Sequence, residues 1–82
     1  MTRDELKTQV LEALAEVAPE LEPGKLREEV PFRDQLDLDS MDFLRFLIAV
    51  DRRVGVSIPE ADYPRLESLG DLLAYLDRAH AP

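Results

Sequence analysis

Cysteine is absent from this chain. Its absence removes a disulfide framework, a thiolate metal site and a cysteine nucleophile together. Histidine occurs once, as His80, close to the end of the sequence, where it is expected to be solvated. Nothing in the spacing therefore suggests a Ser-His-Asp arrangement. The three glycines are scattered, so no glycine-rich phosphate loop can be built from them. No apolar run approaches the ~20 residues that span a bilayer. The start of the chain lacks the basic stretch and apolar run of a secretory leader. The chain is not expected to be an enzyme.

What is present suits one small helical domain over residues 1–82. An 82-residue chain is too short for a second core. Its 45% of hydrophobic residues argues against disorder despite 34% of charged ones. Formal charge is −8, a balance that repels nucleic acid and anionic membrane and suits partners with basic patches. The cytoplasm is the expected location, and a monomer the expected state.

Thr2-Arg3-Asp4-Glu5 fits a capping box, with Thr2 as N-cap and Glu5 reaching back. Leu6, Val10, Ala13, Leu14 and Val17 follow at helical spacing, so an amphipathic helix is expected from about 3 to 17. Pro19 ends it. Residues 18–38 hold Pro19, Pro23, Gly24 and Pro31 and read as a long loop. Leu21, Leu26, Val30, Phe32, Leu36 and Leu38 are spaced through it as anchors that pin it across the bundle.

A second helix should run from Ser40 or Met41 to about Val54, capped by Asp39 or Ser40 and stopped by Gly55. Val56-Ser57-Ile58 is extended before Pro59. A short helical turn broken at Pro64 is expected between Ala61 and Leu66. Ser68 then caps a last helix, with Asp71 as its acidic third residue and Leu69, Leu72, Leu73 and Leu76 as its buried stripe, to about Ala79.

The second helix is unusually apolar. Phe43, Leu44, Phe46, Leu47, Ile48, Ala49 and Val50 leave little room for a polar face. A central helix packed by its neighbours accounts for this, and so does a cleft for an apolar chain or a docking surface. Charge is also uneven. Residues 1–39 hold eleven acids and five bases, whereas residues 40–55 hold two acids, Asp42 and Asp51, and three bases, Arg45, Arg52 and Arg53. The helix is slightly basic inside an acidic protein.

At its head lies Leu36-Asp37-Leu38-Asp39-Ser40-Met41-Asp42-Phe43-Leu44. A serine here exposes its hydroxyl where helix N–H groups and the dipole favour negative charge, so a phosphate ester is electrostatically welcome. Asp37, Asp39 and Asp42 do not form a calcium loop: counted from Asp37, positions 5, 6 and 12 hold Met41, Asp42 and Ile48 where an oxygen ligand, glycine and glutamate are required. Glu28-Glu29 and Arg52-Arg53 read as solvated surface pairs, and Tyr63 and Tyr75 as core or rim.

The Asp39-Ser40-Met41-Asp42 core with apolar flanks resembles the attachment signature of acyl carrier proteins, and Val56-Ser57-Ile58-Pro59-Glu60 resembles the turn after their second helix. The resemblance runs from the first helix to Leu76 and is strongest from Phe32 to Pro59. It implies an all-α fold, a small four-helix bundle with three main helices and a short one before the last. It implies that Ser40 takes a 4′-phosphopantetheine arm by a phosphodiester. Asp39 would present it to the phosphopantetheinyl transferase and its magnesium, and Met41 would meet that enzyme and later partners.

This chain departs from the family's pattern in having Asp37 near the place of a common glycine, Met41 in place of leucine and Val54 in place of an aromatic. Its second helix also lacks the family's glutamates. Docking through Met41, Asp42, Arg45 and Arg52 to a mixed-charge or apolar partner surface is therefore expected. The partners implied are the transferase, an acyl- or aminoacyl-activating ligase, and acyltransferase or synthase enzymes of fatty-acid-like, polyketide-like or specialised lipid biosynthesis. An aminoacyl or peptidyl carrier and an unmodified scaffold of the same fold are the alternatives.

Overall fold

The computed structural model describes residues 1–80. Its helices are α1 (Arg3–Val17), α2 (Phe32–Gln35), α3 (Ser40–Val54) and α4 (Leu69–His80), with 3₁₀ turns at Pro23–Lys25 and Glu60–Arg65. α1 packs against both α3 and α4. The core is largely aliphatic, with one phenylalanine at its centre: Leu6, Val10, Ala13 and Leu14 of α1 meet Phe46, Leu47, Ala49 and Val50 of α3 and Leu69, Leu72, Leu73 and Leu76 of α4. The helical spacing of the apolar residues becomes three buried stripes facing one another.

The helix ends follow local chemistry. Thr2 Oγ1 accepts from the Glu5 N–H while the Glu5 carboxylate accepts from the Thr2 N–H, closing the capping box of α1. Gly55 terminates α3 at φ 76°, a left-handed value that disfavours any side chain. Ser68 Oγ accepts from the Asp71 N–H at 3.1 Å and caps α4. α4 runs to His80, and the solvation expected of the His80 side chain falls outside the described residues.

The segment 18–38, read as a long pinned loop, is not loop throughout. It holds one 3₁₀ turn and the one-turn helix α2, and Phe32 at the head of α2 is buried. Leu21, Leu26, Leu36 and Leu38 pack against the core as expected. Gln35 adds a polar staple: its side-chain oxygen accepts from the Arg27 N–H, and its nitrogen donates to the Arg27 and Val30 carbonyls. Two backbone bonds fasten the segment to the head of α4, from the Phe32 N–H to the Glu67 carbonyl (2.7 Å) and from the Gly70 N–H to the Glu28 carbonyl (2.9 Å). Glycine at 70 permits this approach, because a Cβ there would sit 3.1 Å from the Glu28 oxygen.

The charged pairs are also more engaged than expected. Glu28 binds Arg3 and Lys7 of α1, and these two cations hold its carboxyl down at about 2. Arg53, though partly exposed, is held by several partners. Its guanidinium donates to Glu16 (2.7 Å), Glu12 (2.8 Å) and Gln9 (3.3 Å), and Arg52 pairs with Glu16 at 3.2 Å. Tyr75, half-buried, donates its hydroxyl proton to Asp62 at 2.8 Å, which raises its pKa and ties α4 to the 3₁₀ turn before it.

Candidate functional site

Ser40 is the first residue of α3, and Asp39 is its N-cap. Asp39 has extended backbone, its carbonyl accepts from the Phe43 N–H at 3.0 Å, and its Oδ1 accepts from the Asp42 N–H at 2.8 Å. One residue thus begins the helix twice over, through main chain and side chain. The consequence for Ser40 is chemical. Its hydroxyl is exposed and has no part in the cap. The cap reaches the third N–H of the helix, so the Ser40 and Met41 N–H groups are left as its open donors, at the positive end of a 15-residue helix.

A cleft of about 550 Å³ opens beside this point, with Asp39, Ser40 and Met41 on its wall. Its apolar lining comes from Phe32, Leu38, Phe43, Leu44, Tyr63 and Leu66. Phe32 and Phe43 form with Phe46 a three-ring cluster, with centroids 5.5 to 6.1 Å apart in tilted and edge-on arrangements. Charged side chains line the cleft as well, among them Arg33 and Glu67, which approach each other at 4.0 Å. Part of the apolar excess of α3 is thereby explained: Phe43 and Leu44 face this cleft, while Phe46, Leu47 and Val50 are core.

The expected docking residues separate along α3. Met41 is 58% exposed beside Ser40, and Arg45 is exposed one turn further on. Asp42 is half-buried and supplies the N–H that the Asp39 cap holds. Arg52 lies twelve residues beyond Ser40, about 18 Å along the axis, and shares Glu16 with Arg53. It does not stand with the others at the head of the helix. Ile48 was missed by sequence reasoning. It is 53% exposed, and its place seven residues after Met41 was the signal that it shares Met41's face.

These residues fit a phosphoryl-linked prosthetic group: an accessible hydroxyl, open amide donors and a neighbouring apolar cleft. Comparison with known proteins leads to the same class. Residues 8–76 match the family described as the phosphopantetheine attachment site. The meromycolate extension acyl carrier protein of Mycobacterium tuberculosis (strain H37Rv) is 31% identical over 78 residues, 95% of this chain and 67% of that protein. The acyl carrier protein of Rhodococcus erythropolis is 28% identical over 80 residues, 98% of this chain and 87% of that one. In fold, a solved acyl carrier protein from Enterococcus faecalis superposes with a TM-score of 0.74 at 20% identity, over 96% of this chain and 99% of that one.

Fold and site together define a phosphopantetheine-binding carrier domain, a small all-α bundle whose cofactor is 4′-phosphopantetheine. The chain belongs to the acyl carrier protein family, whose members are carriers and not catalysts. No helix among the described residues is long and apolar enough to cross a membrane.

Proposed function

We infer that this chain carries an acyl group on a 4′-phosphopantetheine arm joined to the Ser40 hydroxyl and presents it to enzymes of lipid biosynthesis. The observation that carries this reading is the division of labour at the head of α3, where Asp39 makes the cap and Ser40 keeps an exposed hydroxyl. When bound, the arm supplies a terminal thiol on a flexible tether, which holds the acyl group as a thioester and raises its effective concentration at a partner's active site.

The chain's own residues do the rest. Asp39 fixes the helix start and offers the transferase and its magnesium a carboxylate next to the hydroxyl. The open amides of Ser40 and Met41 favour the negative phosphodiester. The cleft lined by Phe43, Leu44 and Tyr63 gives an apolar cargo a place out of water beside its attachment point. Met41, Asp42, Arg45 and Arg52 belong to the surface that partners read. Those partners are a phosphopantetheinyl transferase, an acyl-activating ligase, and acyltransferase or synthase enzymes. Residues 1–82 act as one monomeric carrier domain in the cytoplasm. The names of the relatives, acyl carrier and meromycolate extension, favour an acyl over an aminoacyl cargo. An unmodified scaffold would need Asp39 for the helix cap but has no use for a hydroxyl at position 40.

Intact mass after incubation with a broad-specificity phosphopantetheinyl transferase, coenzyme A and magnesium tests the reading. The expected result is a gain of one phosphopantetheine that Ser40→Ala abolishes. No gain, with the transferase shown active on another carrier, would overturn it, and a gain retained by the variant would move the site elsewhere.

A further inference from the structure

We propose that the exposed face of α3 docks a protein partner whose surface is acidic around apolar sockets, the opposite of what a net charge of −8 selects. It rests on the carrier reading in one respect, that the partner is an enzyme which must reach Ser40.

The exposed residues of α3 are Ser40, Met41, Arg45, Ile48 and Arg52, and none of them is acidic. Positions 41, 45, 48 and 52 recur at helical spacing and form one stripe along the helix. Three large hydrophobic residues are exposed among the described ones, Met1, Met41 and Ile48. Two of the three therefore stand on this stripe, about 10 Å apart along the axis. The acids of the helix are less open than these residues: Asp42 and Asp51 are half-buried, and the Asp51 carboxylate accepts from the Ile58 N–H.

The two arginines are not equivalent. Arg52 already pairs with Glu16, whereas Arg45 makes no ion pair among the described residues. Arg45 is thus an uncompensated cation between two exposed apolar side chains. A partner carboxylate set between two apolar sockets completes all three residues at once. A basic partner would place like charge on Arg45 while burying Met41 and Ile48, a juxtaposition that disfavours binding. The remaining acidic surface repels acidic partners in general, so only one in register with this stripe gains from docking. An anionic bilayer fits less well, because two apolar side chains are few for interfacial insertion and the rest of the protein is repelled.

The test is an amide NMR titration of the full ¹⁵N-labelled chain with two synthetic helical peptides that share one leucine stripe, flanked by glutamate in the first and lysine in the second. The glutamate peptide is expected to shift the amides of Met41, Arg45 and Ile48. Arg45→Glu should weaken that binding at least about tenfold, with Arg45→Gln falling between. The lysine peptide should leave those three amides in place. A glutamate peptide that moves none of them would overturn the proposal, and so would a lysine peptide that moves them equally. Phosphatidylglycerol vesicles that shift the stripe when neither peptide does would assign the face to membrane instead. The titration uses the unmodified chain, so it stands or falls independently of the mass gain on Ser40.

Discussion

The two ends of α3 are held by different physics. At its tail, Arg53 reaches Glu12, Glu16 and Gln9 of α1, Arg52 adds a contact to Glu16, and Gly55 closes the helix in a left-handed turn. At its head one carboxylate cap and three aromatic rings suffice, and no ion pair involves residues 39–45 among those described. The helix is fastened by charge where it has no chemistry to perform and by apolar packing where a hydroxyl must stay open. Ion pairs beside Ser40 would occupy the surface that a transferase and later enzymes approach.

Removing the head's support should have the largest effect. Phe32→Ala takes one ring from the cluster and is expected to cost about 3–5 kcal/mol in urea unfolding. A loss below about 1 kcal/mol would show that the rings do not hold the head. Arg53→Gln loosens the tail and should lower stability by less, because the pairs it removes are largely solvated. Its deficit relative to wild type should shrink as salt rises, and a deficit indifferent to salt would refute an electrostatic tail.

The smallest effect belongs to Glu28, which fastens the loop behind the head to α1. Arg3 and Lys7 depress its carboxyl from 4.5 to about 2, so its contribution is complete above the unfolded value and is lost as pH falls from 4.5 towards 2. Glu28→Gln should therefore melt earlier than wild type at neutral pH, with the gap closing through that window. A gap that persists at the acid end would mean the ion pairs contribute nothing.

Much of this was legible in the sequence because it is local. The Thr2 and Glu5 box, the Asp39 and Ser68 caps and the Gly55 stop each depend on residues within a few positions of one another. Ser40 stood out for the same reason: a serine following an acid at the head of an apolar helical segment. The features that escaped depend on distant parts of the chain. Gln35 bonds backbone eight residues away, Arg53 meets Glu12 across forty-one positions, and Glu28 meets α1 across twenty-one or more. α2 is too short to show a period. Ile48 hid within a run whose composition pointed to the core.

The bonds from Phe32 to Glu67 and from Gly70 to Glu28, with the bridge between Pro31 and Ser68, close the chain on itself around α3. Mechanically, Ser40 is a point on a hoop and not on a free strand. A pull on its side chain divides, running back through Leu38 and Phe32 to the clasp and forward along α3 into its packing on α1. An enzyme that draws a tethered cargo into its own active site therefore pulls on a closed circuit and not on a loose end.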